Sequence, residues 1–269
     1  ARVTFAVEAG GTQPLSYQWQ KNNVAIAGAT NATLTLAKLT VGDAGQYSVS
    51  IGNIVGNAKS DSATLKVVAV TAGGLAATLV AAHPVAYWRL DEAAGDWVAH
   101  DSVGGHDGTY DAGVVLEQAG AIVGDSNPSA SFNYGGTVVP HASELNPATT
   151  FSLESWVKVD PSGAGMDRPI LWSINRYAGW AYGYQLSVNS SDQWAFTTGQ
   201  KTSGFDTLAT EGTVGEGWTH LVCTFNDATG EKRLYVNSQL AAETTTATGT
   251  FAPNPTEGTP DNPTPFDQG

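Results

Sequence analysis

The sequence predicts an all-β protein made of two successive β-sandwiches. Its 269 residues suit two domains of ordinary size. The 31 Gly and 12 Pro favour turn-rich β structure over helices. The clearest element is the stretch 218–240, where two runs of alternating apolar residues flank a five-residue connection at 226–230. Period two on both runs predicts a β-hairpin, with Gly230 able to take the positive φ of its turn.

Charge and hydropathy exclude some partners. The net charge of −13 disfavours nucleic acid and anionic membranes, because phosphate binding depends on clustered Lys and Arg. No stretch approaches the ~20 apolar residues of a membrane span, and no signal peptide is present. The chain starts inside a predicted strand, so we expect a fragment of a longer protein. The single Cys223 cannot form an intramolecular disulfide and is expected to be buried.

Residues 1–69 show short alternating runs separated by turn signals about every ten residues, which predicts a β-sandwich. Trp19 is placed to point inward, and 43–47 reads Asp-Ala-Gly-Gln-Tyr. These features resemble a bacterial immunoglobulin-like domain of the intermediate type. The resemblance implies a buried Trp19 and a Tyr47 hydroxyl bonded back to the backbone. The positions of its inter-sheet cysteines correspond here to Val7 and Val49, and its first strand is expected to be missing.

Residues 70–83 form the predicted linker. Its Ala- and Leu-rich part, 75–82, could make a short helix, which His83-Pro84 should end because the residue before Pro avoids the helical region.

A second β pattern begins at Val85. Candidate strands lie at 85–92, 130–134, 136–141, 151–160, 168–174, 183–188, 193–199 and in the hairpin. The series PVAYWRLDE, DSVGGHDGTY, FSLESWVKV, GWTHLV and GEKRLYVNSQL resembles a laminin G-like, concanavalin A-like jelly roll. The resemblance covers about 84–250, within a predicted domain 84–269.

The end of this domain departs from the family pattern. The resemblance implies two closing strands, but the chain ends in a segment with five Pro in nineteen residues, which cannot form a central strand. We therefore expect the jelly roll to lack its last strands. The stretch 218–240, or the strand beside it, would then complete its sheet through a partner chain, unless the same chain covers that edge.

The loop 101–108 carries hard oxygen donors with Gly for tight turning. Calcium takes six to eight oxygens, so Asp101, Ser102 and Asp107, with Asp91 from the preceding segment, are candidate ligands. A solvated surface turn is the alternative, since Asp and Gly are common turn residues.

The segment 175–184 contains four aromatics around two Gly and is interpreted as a loop. Tyr177, Trp180 and Tyr182 are the candidate ligand-binding residues, because an aromatic exposed beside polar donors can stack on a sugar face. The alternative is packing at the sheet edge. Tyr184 alternates with Leu186 and Val188 and is expected in the core.

No catalytic motif is found. The chain has no Gly-x-Ser-x-Gly, no His-Glu-x-x-His, no phosphate-binding loop and no Glu-x-Asp-x-x-Glu run of the glucanases with this architecture. Glu154 and Asp160 share a strand face but lie about 20 Å apart at ~3.3 Å per residue, too far for a glycosidic carboxylate pair. We therefore expect no catalytic residue.

The sequence thus favours a non-catalytic recognition module of a larger bacterial surface or secreted protein. Its expected partner is a glycan or cell-surface polysaccharide, with calcium as a possible cofactor and an extracellular location. Alternatives are a structural spacer or self-assembling surface-layer or filament subunit, and an accessory part of a glycoside hydrolase. A binder should expose Trp or Tyr faces near polar groups, whereas a spacer should bury them.

Overall fold

The computed structural model describes residues 2–37, 39–67, 74–122, 127–133, 135–177, 180–201 and 204–254. The chain is nearly all β, as predicted, and forms two compact units. One comprises Ala1–Arg89 with His100–Asp107, and the other comprises Leu90–Ala99 with Gly108–Gly269. The predicted domain limits at 69 and 84 stay a prediction.

The elements of the first unit are β1 (Arg2–Ala6), β2 (Ser16–Lys21), β3 (Val24–Ala25), β4 (Thr33–Ala37), β5 (Gly45–Gly52), β6 (Asn57–Lys59), β7 (Ala63–Leu65) and α1 (Leu75–Ala81). Helix α1 confirms the short helix predicted before His83-Pro84. No helix among the described residues is both long enough and apolar enough to cross a membrane.

The strands of the second unit are β8 (Val98–Ala99), β9 (Gly108–Tyr110), β10 (Val114–Gln118), β11 (Ser129–Phe132), β12 (Thr137–Val138), β13 (Thr150–Val157), β14 (Arg168–Tyr177), β15 (Trp180–Val188), β16 (Trp194–Gln200), β17 (Gly204–Ala209), β18 (Thr219–Asn226), β19 (Glu231–Val236) and β20 (Gln239–Thr245).

The N-terminal strands make two sheets around a small core. One sheet pairs β1 with β4, and the other joins β3, β2, β5 and β6 in that order, with β7 also paired to β5. Trp19 is 4% exposed, as predicted, and lies opposite the fully buried Val49 across β2 and β5. Val7 packs against the same core. Two valines therefore fill the positions that the family resemblance assigns to cysteines.

Tyr47 makes the predicted corner. Its hydroxyl donates a hydrogen bond to the Asp43 carbonyl oxygen over 2.7 Å, and its ring stacks on Phe5 at a centroid distance of 4.7 Å. Burial raises the pKa of the Tyr47 hydroxyl. The corner thereby ties the turn before β5 to the core of the unit.

The strand predicted at 85–92 is wrong. The described structure has only an isolated bridge there, between Trp88 and Asp101. The Tyr87 N–H donates to the Asp101 carboxylate, and the Tyr87 carbonyl accepts from Ser102. Leu90 takes a positive φ of 57°, which ends the extended conformation.

The second unit contains a sandwich of two four-stranded sheets. The first sheet has the order β13-β18-β19-β20 and the second has the order β14-β15-β16-β17. Alternate residues of both sheets meet in one core, whose fully or largely buried members are Tyr184, Leu186, Val188, Trp194, Phe196, Leu208, Leu221, Cys223, Phe225, Leu234 and Phe251. Burial raises the pKa of the Cys223 thiol to about 12, so this cysteine behaves as an apolar core residue.

The predicted hairpin is confirmed as β18 and β19. Gly230 takes a φ of +71°, and a Cβ at this position would lie 2.0 Å from the Thr246 carbonyl oxygen. Only glycine therefore fits this turn. The predicted open edge at 218–240 is wrong, because β13 pairs with β18 and β20 pairs with β19. Within the described residues, the edges of this sheet are β13 and β20.

Part of the Pro-rich tail enters the sandwich. The pairing of β15 with β16 ends at Tyr184 and Thr198, and the residues after Ala247 come between the two strands beyond this point. Gly183 donates to the Ala252 carbonyl, and Ala252 donates to the Gly199 carbonyl. The tail forms no strand among the described residues, as expected, but Phe251 makes an isolated bridge to Gln200, because Pro253 follows the bonded residues and their backbone N–H groups remain available.

An ion pair between a buried lysine and a half-buried aspartate crosses between the two sheets. Lys232 of β19 is fully buried, and its Nζ donates to both the carboxylate and the carbonyl oxygen of Asp206 in β17, over 2.6 and 2.8 Å. The same Nζ lies 5.6 Å from the centroid of the Phe196 ring. Burial lowers the pKa of the Lys232 ammonium, and the bond to Asp206 opposes this shift.

We expect Trp19→Ala to lower the free energy of unfolding of the N-terminal unit by about 3–5 kcal/mol, since it removes the largest side chain of a small core. A denaturant titration of the full chain measures this change. Val24→Ala, at a position 70% exposed in the same unit, should change it by less than about 0.5 kcal/mol. A cost below about 1 kcal/mol for Trp19→Ala would contradict the packing described here.

We expect Lys232→Ala to lower the free energy of unfolding of the second unit by about 3–5 kcal/mol, because it removes one partner of a buried pair. The double variant Lys232→Met/Asp206→Asn should recover at least half of that loss, since an apolar stem replaces the buried charge. Lys158→Ala, at an exposed lysine, is the control. Equal losses for Lys232→Ala and the control would show that the pair contributes little.

Candidate functional site

Asp101, the centre of the predicted metal loop, accepts hydrogen bonds from four backbone N–H groups. One carboxylate oxygen accepts from Tyr87 and Val103, and the other accepts from Gly104 and His106, all over 2.8–3.0 Å. The residue is 7% exposed. A carboxylate has about four lone-pair sites, so the backbone occupies all of them.

The rest of the loop is built around this carboxylate. Asp107 accepts from the Asp101 N–H over 2.8 Å, and the His106 carbonyl accepts from the Trp88 indole N–H over 2.8 Å. A Cβ on Gly104 would lie 2.1 Å from the Val85 carbonyl oxygen, so glycine is required for this close approach. The Asp- and Gly-rich motif therefore has a direct structural explanation.

Asp101 does not fit as a calcium ligand in this conformation, because N–H dipoles surround the oxygens that a cation would need. The Ser102 N–H is bonded to Tyr87. Within the described ranges, no three His, Cys, Asp or Glu side chains are grouped as a metal site would require. Calcium binding through Asp91, Asp101, Ser102 and Asp107 stays a prediction.

The predicted aromatic loop is a strand hairpin. Tyr177 ends β14 and Trp180 begins β15, where the two residues pair, and Tyr182 pairs with Asn175. The side chains of Tyr177 and Trp180 lie outside the described residues, and Tyr182 is half-buried. Tyr184 is buried as expected, and its hydroxyl donates to the Leu145 carbonyl over 2.7 Å. These aromatics remain candidate ligand contacts.

A second group of polar and aromatic side chains lies on the side of the sheet β13-β18-β19-β20 that faces away from the core. We call this side the outer face. Phe151, Leu153 and Val157 of β13 pack toward the core. Trp156, one residue out of phase with them, therefore points to the outer face and is 37% exposed. The alternation of FSLESWV carries this signal in the sequence, because it puts Trp156 on the same strand face as Glu154.

Trp156 stacks on His220 from the neighbouring strand β18. The two rings lie 4.9 Å apart at an interplanar angle of 25°. His220 Nε2 lies 2.8 Å from Glu154 Oε1, so the imidazole is held by a carboxylate on the same strand as the indole. The Asn237 side-chain oxygen accepts from the His220 N–H, and the Asn237 N–H donates to the His220 carbonyl. The position of the imidazole is therefore fixed by both its ring and its backbone.

A shallow depression lies further along the outer face, toward the start of β13. Its lining residues come from β13, β18 and β19: Thr150, Phe151, Ser152, Thr224, Phe225, Asn226, Glu231, Arg233 and Tyr235. Thr150 and Trp156 are six residues apart on one strand, so the face extends over about 20 Å. Hydroxyl, amide and charged groups thus share the outer face with the Trp156 ring, and Ser152, four residues away on β13, lies about 13 Å from it.

Arg233 connects Glu231, which lines this depression, with Glu243 on the neighbouring strand β20. Its guanidinium bonds Glu231 two residues before it on β19, and its Nε lies 3.4 Å from Glu243 in β20. The register places Glu243 directly opposite Arg233. Glu154 pairs with Val222, and Val222 pairs with Tyr235, which is four residues from Glu231. The backbones of Glu154 and Glu231 are thus at least about 13 Å apart along the strands alone, and their carboxylates contact different partners, His220 and Arg233.

Comparison with known proteins gives one family match. Residues 132–262 match a family model described as the concanavalin A-like lectin/glucanases superfamily. The match covers the two four-stranded sheets and the outer face, and it supports the predicted jelly roll. A search of curated proteins found no match.

We expect Asp101→Ala to lower the free energy of unfolding by at least about 3 kcal/mol, because it leaves four N–H groups without their charged acceptor. The loss should be the same with chelator as with calcium, when measured by thermal and denaturant unfolding. Asp61→Ala, at an exposed carboxylate of the same unit, is the control. If Asp101 were a calcium ligand, the wild type would melt higher with calcium, and Asp101→Ala would remove only that calcium-dependent rise.

Proposed function

We propose that the chain is a non-catalytic recognition module that binds carbohydrate on the outer face. The observation that carries this proposal is the partly exposed Trp156 ring, held by His220 and Glu154 on the same sheet face as a depression rich in hydroxyl and amide groups. A pyranose presents an apolar face of C–H groups and a rim of hydroxyls. An indole flanked by polar side chains complements both parts of such a ligand.

The family match supports a sugar ligand at a coarse level, because the superfamily description names lectins and glucanases. Binding without catalysis is favoured by the geometry of the carboxylates on the outer face. Glu231 and Glu243 both contact Arg233, which engages them as ion-pair partners. Glu154 holds His220 and lies far from the other two carboxylates.

We infer that the N-terminal unit contains an immunoglobulin-like domain and that the protein acts outside the cell, as a part of a surface or secreted protein. The buried Trp19 and the Tyr47 corner support the first inference. The acidic charge and the lectin-like second unit support the second. In this arrangement the first unit would act as a spacer or an adhesive neighbour of the binding module.

A spacer or self-assembling subunit is the second candidate function. It is favoured by the strand β20, which lies at a sheet edge of the described structure and is exposed at most of its positions. An edge strand offers backbone groups to a partner chain. Leu240 on this strand is 48% exposed and would be covered by such a contact.

We expect Trp156→Ala to weaken binding of the full chain to its polysaccharide by at least about tenfold, the effect of losing roughly 1.4 kcal/mol of aromatic contact. Affinity electrophoresis against immobilised neutral glucans, mannans and galactans measures this change. Trp97→Ala, at a tryptophan 65% exposed in the same unit, should leave the affinity unchanged.

Two outcomes would contradict the proposal. Loss of binding in Trp97→Ala with full binding in Trp156→Ala would place the site elsewhere. Absence of binding to any polysaccharide, together with association that grows with protein concentration in light scattering and is lost in Leu240→Lys, would favour the assembly function instead.

A further inference from the structure

We infer that the depression on the outer face selects uncharged sugar residues and rejects acidic ones, because its single guanidinium is already bound by two carboxylates. This inference rests on the proposed carbohydrate site and specifies the class of ligand. Arg233 is the cation among the residues that line the depression. Its bonds to Glu231 and Glu243 decide what it can offer to a ligand.

The geometry leaves Arg233 little capacity for an anionic ligand. Recognition of a carboxylate or sulfate by arginine depends on a bidentate fork of N–H donors. Here Glu231 contacts Nη2 and Glu243 contacts Nε, so both nitrogens of the Nε–Nη2 fork already have carboxylate partners, and the Nη1–Nη2 fork shares the engaged Nη2. A uronate or sulfated sugar would have to displace one of them.

The local charge opposes such a displacement. Glu231 and Glu243 together carry one more negative charge than Arg233 neutralises, so an incoming anion meets a net negative depression. Lys232 is the other lysine or arginine in the strands β13, β18, β19 and β20. It points into the core and is bound to Asp206. The exposed Lys158 follows β13 at the Trp156 end, away from the depression.

A neutral sugar meets a different surface in the same place. Hydroxyl groups can donate to the outer oxygens of Glu231 and Glu243 and can exchange hydrogen bonds with Thr150, Ser152 and Thr224, without separating any ion pair. Tyr235 adds an aromatic ring to the lining. The carboxylates of Glu231 and Glu243, held by Arg233, therefore act as fixed hydrogen-bond acceptors and not as part of an anion-binding site.

The test compares the full chain with the double variant Glu231→Gln/Glu243→Gln, which frees the guanidinium while keeping the size of both side chains. The probes are soluble neutral glucan, mannan and galactan, and polygalacturonate as the acidic polymer. We expect the wild type to bind at least one neutral polymer and to bind polygalacturonate at least about tenfold more weakly. The double variant should gain at least about tenfold in affinity for polygalacturonate, and the gain should shrink with added salt.

Two controls separate this effect from a general change of charge. Glu211→Gln/Glu216→Gln removes the same two charges from exposed positions between β17 and β18 and should give no gain. Lys158→Gln, added to the first double variant, should leave its gain in place, because Lys158 lies at the opposite end of the face.

The possible failures are distinguishable. Absence of binding of the wild type to every neutral polymer would overturn the carbohydrate site and this inference together. Binding of a neutral polymer, combined with equally tight binding of polygalacturonate or with no gain in the Glu231→Gln/Glu243→Gln variant, would overturn the selectivity and leave the carbohydrate site standing.

Discussion

The buried contact between Lys232 and Asp206 fixes the phase of the strand that builds the candidate site. A strand places successive side chains on opposite faces, so an inward Lys232 sets Glu231 and Arg233 outward. A slip of one residue would bury a guanidinium and a carboxylate and expose the apolar Leu234. The free-energy cost of burying the Lys232 ammonium is thus linked to the outward positions of Glu231 and Arg233 on the opposite side of the same sheet.

The fold was largely predictable because its signals are local. Alternation located the hairpin β18–β19, and the resemblance to an immunoglobulin-like domain placed Trp19 and Tyr47. Lys232 is two residues from Leu234 and therefore on the same strand face. This alternation assigns it to the core, although lysines are usually exposed. The segment at 250–252 could not be placed, since it makes few backbone bonds and its partners, such as Gly183, are far away in the sequence.

The candidate sites were less predictable, because residue type does not reveal which groups are already occupied. Asp101 suits a metal by its chemistry, yet four backbone donors surround it. Trp156 and His220 are 64 residues apart in the sequence, so their contact follows from the register of β13 with β18 rather than from any motif. A site assembled across strands becomes visible only when the pairing of those strands is known.

Phe251 has a consequence for the order in which the second unit assembles. Its ring is fully buried against Phe151 and Phe225, and its N–H donates to the Asp227 carboxylate. The earlier strands must therefore leave a cavity between the sheets until this late residue arrives. During synthesis, the unit would stay partly filled until Phe251, which follows all of its strands, has left the ribosome. Closure over such a sequence distance is entropically costly and slow, so the nascent chain exposes apolar surface for a correspondingly long time.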